Sequence, residues 1–367
     1  MKIFSPLFLI FYLCIASISQ AQSWVKLDSM PGGGLAVFFV NSDTGYSSYG
    51  NKILKTIDGG YNWTSQQTGL TWPYNIQSIN FTSVDTGFAV GYFYNGLTYL
   101  GIIIKTVNGG QNWTTLYGSV PGPLRVITCI SSLKCFTGGG GLYGGDFFEN
   151  INLRTIDGGV TWVGFTGPQA TSSINFPTNQ VGYALGTFPL STASNFCKST
   201  DGGTTWVCQN LSIQLAPPSF TFISLNFTSA SIGYAVGLNG SIIKTINGGT
   251  TWTVQNSGTT KVLYSVCFVS PNTGFISGLD GAVLNTLNGG TTWVLQPSLT
   301  AQHLYSMHFP NQNIGYAVGI GGTIIKYSQT VKVNSRSNKI LFNTKDIKKI
   351  KYDMLGRISD LKIIRIK

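Results

Sequence analysis

Apolar and polar positions along this chain fall into short bursts punctuated by glycine, and the same burst recurs. In residues 221–255, Phe222, Leu225 and Phe227 mark an apolar strand, Ser229-Ala230-Ser231-Ile232 turns the chain, and residues 233–237 make a second strand. Asn239-Gly240 is a two-residue hairpin signal ahead of a β-rich run, 241–245. Asn247-Gly248-Gly249 turns the chain once more into residues 250–255. The spacing therefore predicts four short strands per unit. No stretch of the repeat region carries the 3.6-residue period of a helix.

The most regular part of each unit is nine residues long: KTIDGGYNW at 55–63, KTVNGGQNW at 105–113, RTIDGGVTW at 154–162, KSTDGGTTW at 198–206, KTINGGTTW at 244–252 and NTLNGGTTW at 285–293. Successive tryptophans stand 50, 49, 44, 46 and 41 residues apart, a period that belongs to propellers and arrays. A Gly-aromatic-small-X-Gly strand runs in phase at 87–91, 182–186, 233–237, 274–278 and 315–319, with looser copies at 45–50 and around 135–139. That makes seven units and predicts an all-β, seven-bladed propeller over residues 22–328. The seventh unit ends at Lys326-Tyr327 without its tryptophan strand, while Ser23-Trp24-Val25 matches Thr292-Trp293-Val294. Residues 23–28 are thus expected to supply the missing outer strand and close the ring.

Composition changes this picture at the two ends. Residues 1–21 combine Lys2, an apolar run at 8–15 and Ser19-Gln20-Ala21, the pattern of a secretory signal peptide. The formal net charge of +11 is concentrated in the tail. Residues 329–367 hold 11 Lys/Arg and 3 Asp, net +8, whereas 22–328 hold 11 Lys/Arg and 9 Asp/Glu, net +2. The propeller therefore carries no footprint for nucleic acid. Cys129 and Cys135 flank one turn of the third unit, and Cys197 and Cys208 flank the Asp201-Gly202-Gly203 turn of the fourth. Both pairs are expected to be cross-strand disulfides, in keeping with an oxidising destination, and Cys267 a buried thiol. No spacing suggests a metal site, and no cofactor fingerprint is present.

The Thr/Ser-X-Asp/Asn-Gly-Gly-X-Thr/Asn-Trp repeat resembles the Asp-box, or bacterial neuraminidase repeat. Together with Gly-Tyr-Ala-Val-Gly and Ile-Ile-Lys-Thr, it is similar to the photosystem II stability/assembly-factor-like propellers over about residues 23–328. That resemblance implies the fold, and an assembly or binding role; many secreted bacterial relatives share only the scaffold. Residues 351–357, KYDMLGR, and the final KIIRIK resemble a short C-terminal sorting domain of the type IX secretion system. This implies a Bacteroidetes-type bacterium, that machinery as partner, and a secreted or surface location.

Catalysis finds little support. A sialidase-like site needs three arginines, and residues 22–328 hold only Arg125 and Arg154. A glycan hydrolase needs two carboxylates in different environments. Asp43, Asp58, Asp85, Asp157, Asp201 and Asp280 all fall in turns and Asp28 in the exit of the closing strand, leaving Asp146 and Glu149, three residues apart in one loop. Binding is better supported. From the second strand to the nine-residue motif, blades 5–7 take seven steps, but blades 2, 3 and 4 take 14, 16 and 12. These longer loops and the entry to blade 2 carry Trp72, Tyr74, Tyr92, Phe93, Tyr94, Tyr99, Tyr143, Phe147 and Phe148 beside Asp146 and Glu149, an expected surface for a protein, peptide or glycan. Lys55, Lys105, Arg154, Lys198, Lys244 and Lys326 recur in register as a candidate basic ring. The expectation is a monomeric, non-catalytic binding propeller; a glycan hydrolase and a periplasmic assembly factor are the alternatives.

Overall fold

The computed structural model describes residues 18–27, 30–71, 73–143, 146–187, 194–211, 221–297, 299–333, 351–352 and 358–360. Seven antiparallel four-stranded sheets form the blades, as the repeat predicts. Blade 1 comprises Val37–Phe39, Gly45–Tyr49, Lys52–Thr56 and Thr64–Ser65; blade 2 Asn75–Phe81, Gly87–Tyr94, Tyr99–Thr106 and Thr114–Pro121; blade 3 Leu124–Cys129, Cys135–Tyr143, Asp146–Thr155 and Val163–Gly164. Blade 4 comprises Thr171–Asn175, Gly182–Thr187, Ser194–Ser199 and Val207–Asn210; blade 5 Phe222–Phe227, Gly233–Gly237, Ile242–Thr245 and Thr253–Gln255; blade 6 Leu263–Phe268, Gly274–Gly278, Val283–Thr286 and Val294–Leu295. Blade 7 has Leu304–Asn311, Ile314–Gly319 and Ile324–Val333, and its outer strand is Ile18–Lys26. The closing strand thus begins five residues earlier than residues 23–28 would suggest, and Asp28 lies outside the described residues. Each blade's first strand contacts the first strands of both neighbours, blade 7 meeting blade 1, so these strands ring a central channel. Gln22–Thr330 form one compact unit. In the tail, Lys351–Tyr352 pair with Ile358–Asp360; residues 353–357 and 361–367, the rest of the sorting-domain resemblance, lie outside the described residues.

Aromatic pairs hold blade to blade. The aromatic of each Gly-aromatic strand stacks on the phenylalanine ending the next blade's inner strand: Tyr46 on Phe81, Phe136 on Phe176, Tyr183 on Phe227, Tyr234 on Phe268, Phe275 on Phe309 and Tyr316 on Phe39. Centroids are 3.5–4.6 Å apart. The motif tryptophan then meets that phenylalanine edge-on, as Trp113 does Phe81 at 5.9 Å and Trp252 does Phe227 at 6.0 Å. The phenylalanine ring lies where the side chain of the strand-opening glycine would be. A Cβ on Gly87, Gly233 or Gly274 would overlap the ring of Phe81, Phe227 or Phe268.

Blade 3 solves the same packing problem covalently. Its Phe and Gly positions are Cys129 and Cys135, directly paired across the strands and joined with Cα atoms 4.0 Å apart. The bridge packs with Phe88 of blade 2 and Trp162 of its own blade. Cys197 and Cys208 join the third and outer strands of blade 4. Restoring the repeat's usual pair in blade 3 tests this equivalence. Cys129→Phe with Cys135→Gly is expected to fold and to melt within a few degrees of the parent, whereas Cys129→Ser with Cys135→Ser loses about 2–3 kcal/mol in urea unfolding. A Phe/Gly variant no more stable than the Ser/Ser variant would show that the bridge does not stand in for the aromatic pair.

A second set of contacts had no sequence signal until the registers were known. Serine and asparagine side chains of one inner strand accept hydrogen bonds from backbone N–H groups of the next. Ile127 N–H donates to Ser78 and Cys129 N–H to Asn80; Leu225 and Phe227 donate to Ser173 and Asn175; Val266 and Phe268 donate to Ser224 and Asn226. At the ring-closing joint the acceptors are Ser306, for Val37, and His308, for Phe39. Cys267 occupies the asparagine position of blade 6, a free thiol that is half-buried where full burial was expected; desolvation by its surroundings still pushes it up to about 12, while the Phe309 N–H acts in the opposite direction. These side chains satisfy donors at the channel wall that no strand can reach.

Candidate binding face

The two ends of the disk differ in chemistry. At one end lie the turns between third and outer strands. In blade 1, Thr56 Oγ1 donates to Asp58 Oδ1 at 2.8 Å and accepts from Gly60 N–H at 3.0 Å, while Asn62 donates to Asp58 through its backbone and side chain. Hydrogen bonds from Asn62 hold the Asp58 carboxyl at about 2, and those from Thr161 do the same for Asp157. Thr205 likewise holds Asp201 well below the usual range. These carboxylates are engaged in their own turns.

The basic ring is engaged as well. Lys55 Nζ donates to Gly109 O of blade 2 at 2.6 Å, Lys105 to Gly158 O at 2.8 Å, Lys244 to Gly289 O at 2.6 Å and Lys326 to Gly59 O at 3.2 Å. Arg154 reaches Gly203 O at 3.1 Å, and Lys198 lies 5.8 Å over the Tyr183 ring. Each of the five carbonyl contacts ties one blade to the Asp-box turn of the next, while Lys198 packs on a ring of its own blade. Tyr46 and Tyr234 hydroxyls, pushed up to about 12 chiefly by burial, donate to two of the same carbonyls. Blade 6 has Asn285 in place of lysine, and the neighbour it faces, blade 7, is the blade with no Asp-box turn to accept a hydrogen bond. The ring is therefore a set of inter-blade fasteners rather than an open cationic surface.

The opposite end carries the hairpins between second and third strands. Blade 2's hairpin continues three rungs past Gly91, pairing Tyr92 with Gly101, Phe93 with Leu100 and Tyr94 with Tyr99. Because strand pairing extends the sheet, most of its aromatics turn inward. Tyr92 and Phe93 are buried, as is Tyr74, whose ring meets Phe93 edge-on at 4.6 Å. Only Tyr94 stands half exposed, with Tyr99 partly covered beside it at 4.9 Å. In blade 3, Tyr143 pairs with Asp146, Leu142 with Phe147 and Gly141 with Phe148 along another lengthened hairpin. The side chains of Tyr143, Asp146, Phe147, Phe148 and Glu149 lie outside the described set, and so does Trp72.

A cavity of about 1140 Å³ opens on this end, at the junction of blades 7, 1 and 2. Met30, Leu35, Tyr49, Pro73, Tyr74 and Ile320 give it apolar walls, Asn51, Thr71 and Asn75 supply neutral polar groups, and Gly32, Gly33, Gly50 and Gly321 expose backbone. None of these residues is charged. Tyr49, about half exposed, forms one wall against Gly32. Except for Tyr74, these residues carry no sequence signal, because they come from ordinary short loops that only ring closure brings together. The nearest described carboxylate chemistry on this end is Asp280 of blade 6, which sits 4.0 Å from Lys261 and 3.5 Å from His303. Among the described residues no cluster of His, Cys, Asp and Glu is arranged to hold a metal.

No family model and no curated protein matches the chain. Solved structures do. A YCF48 structure with a D1 peptide bound superposes with TM-score 0.66 at 19% identity, covering 86% of this chain and 100% of that one. YCF48 from Cyanidioschyzon merolae gives 0.62 at 16% identity, covering 83% and 98%. The GH74 xyloglucanase of Xanthomonas campestris gives 0.62 at 12% identity, covering 83% of this chain but 53% of that one. At these identities the likeness is one of fold: the chain is a seven-bladed propeller of the kind seen in YCF48.

Proposed function

We propose that this protein is a non-catalytic propeller that captures a polypeptide segment on the hairpin end of the disk, at the blade 7–1–2 cavity. The observation that carries this reading is the cavity's lining: apolar walls, uncharged amide and hydroxyl groups, and exposed glycine backbone, the mixture that suits a neutral stretch of main chain. A peptide-bound YCF48 of the same fold supports it. The GH74 likeness favours a second reading, glycan hydrolysis, but the described carboxylates of the propeller lie in Asp-box turns, in the first-to-second-strand turns of blades 1 and 2 (Asp43 and Asp85) or beside Lys261, and none lines the cavity. The expected leader at 1–21 and the two disulfides accord with an exported protein, delivered to the surface or medium if the tail acts as a sorting signal.

Panning the full chain against a phage-displayed library of random linear peptides, alongside a glycan array and a xyloglucan hydrolysis assay, separates these readings. Peptides are expected to bind the parent and to lose binding with Tyr49→Ala, and no sugar is expected to be released. Release of oligosaccharides from xyloglucan would overturn the reading.

A further inference from the structure

The inner strands of blades 2 to 7 slip register by one residue at the same place. The breaks fall between Ile76 and Ser78, Leu124 and Val126, Thr171 and Ser173, Phe222 and Ser224, Leu263 and Ser265, and Leu304 and Ser306. Each is a β-bulge, with one extra inner-strand residue. The cause is the glycine closing the Gly-aromatic-small-X-Gly motif. A Cβ on Gly91, Gly139, Gly186, Gly237 or Gly319 would overlap the carbonyl oxygen of Asn75, Pro123, Gln169, Thr221 or His303, so glycine alone lets the inner strand buckle inward there. Blade 1 has Tyr49 at that position and no bulge; the cavity opens there instead.

The extra residues are Gln77, Arg125, Ser172, Ile223, Tyr264 and Tyr305, at the channel's hairpin end. Three features mark them. All six are half-buried, as is the residue that follows each, whereas the residue just before each is fully buried. Two members from adjacent blades, Tyr264 and Tyr305, meet edge-to-face at 5.1 Å. Their identities vary, whereas the neighbouring inner-strand positions repeat as apolar residues or serine, with threonine once, at Thr171. The scaffold dictates the bulge but not its side chain, which is how a fold presents a recognition element. Leu35, the corresponding residue of blade 1, lines the cavity, so ring and cavity share a border.

We propose that the six bulge residues form a recognition ring at the channel mouth, continuous with the cavity, in which Tyr264 and Tyr305 anchor an apolar or aromatic side chain of the bound polypeptide. This rests on the peptide-capture reading above. Around the tyrosine pair the chemistry favours an uncharged anchor, the one charged member of the six, Arg125, belonging to blade 3. Burial, with Tyr305 and Asp280 nearby, raises the Tyr264 hydroxyl pKa and keeps it neutral, and Lys261 balances Asp280. A pyranose platform is less suitable, because edge-to-face tyrosines offer no pair of coplanar rings and Ile223 and Leu35 offer none.

Peptides selected on the full chain, resynthesised and titrated calorimetrically, test the ring apart from the cavity. They are expected to be rich in Phe, Tyr, Trp or Leu. Affinity should fall about tenfold or more with Tyr264→Ala/Tyr305→Ala, and also with Ile223→Asp in the adjoining blade 5, a variant that leaves the tyrosine pair in place. Melting curves within a few degrees of the parent confirm that both variants fold. Full affinity in both, with loss only in Tyr49→Ala, would refute the ring and leave peptide capture standing. A library that yields no binder overturns both, and retention of neutral oligosaccharides by the parent, lost in the tyrosine variant, would assign the ring to a glycan.

Discussion

Removing the chain through Lys26 is expected to open the ring. Blade 7 then ends at Ile324–Val333 with an unpaired edge, and the Trp24 socket is vacated. Trp24 meets Phe275 and Phe309 edge-on at 6.0 Å and Tyr327 at 5.4 Å, so it joins blades 6 and 7 where the Asp-box tryptophan joins other pairs. Trp24→Ala alone should cost about 3 kcal/mol, lowering the melting temperature by roughly 5–10 °C. The truncation should cost more and should aggregate on warming, because an exposed strand edge recruits other chains. Calorimetry and light scattering on the two variants read both effects. A truncated chain that melts with the parent's transition and stays monodisperse would refute closure by the N-terminal strand.

That closure was legible because one tryptophan was missing from the seventh unit and one was left over near the start. The blade count was legible for a similar reason: a 41- to 50-residue period leaves few architectures open. What the sequence could not show was where a repeated side chain spends its charge. Lys55 and Gly109 are 54 residues apart, and only the ring geometry reveals that the ammonium meets that carbonyl at 2.6 Å. The same blindness affected the aromatic loops. Length and composition marked blade 2's insertion as a loop, yet its residues pair rung by rung, and pairing sends Tyr92 and Phe93 inward.

The bulges left a trace that alternation alone does not explain. In blade 5 the core-facing positions are Phe222, Leu225 and Phe227, a step of three and then of two. A strand of strict period two cannot make that first step, and the closing glycine of the next strand explains how this one does. Tyr49 in place of that glycine marks blade 1 as the exception in the same way.

Acid should weaken the ring at its closing joint before it weakens the Asp-box turns. His308 takes the asparagine position of blade 7, accepts from Phe39 N–H through Nδ1 at 3.2 Å, and lies 4.3 Å from the Phe38 ring. Burial lowers its pKa from 6.5 to about 4, so the fold keeps the imidazole neutral. Between those values the unfolded chain binds a proton that the folded chain refuses, and stability must fall as pH drops from about 6.5 towards 4, with no contribution from this residue above that window. A shift of that size corresponds to about 3 kcal/mol; the ring is only half-buried beside the channel, so about 2 kcal/mol is expected. Asp58 and Asp157, held at about 2, lose their contribution only as pH falls below the usual carboxylate value, in a lower and separable range. His308→Asn places in blade 7 the acceptor that Asn80, Asn175 and Asn226 provide elsewhere, without a titrating group. Urea unfolding of parent and variant at pH 7.5, 6, 5 and 4.5 cancels every other titration. The variant's curve should be flatter by about 2 kcal/mol across the window, with near-equal stability at pH 7.5. Parallel curves for the two proteins would show that His308 does not govern the acid response of the joint.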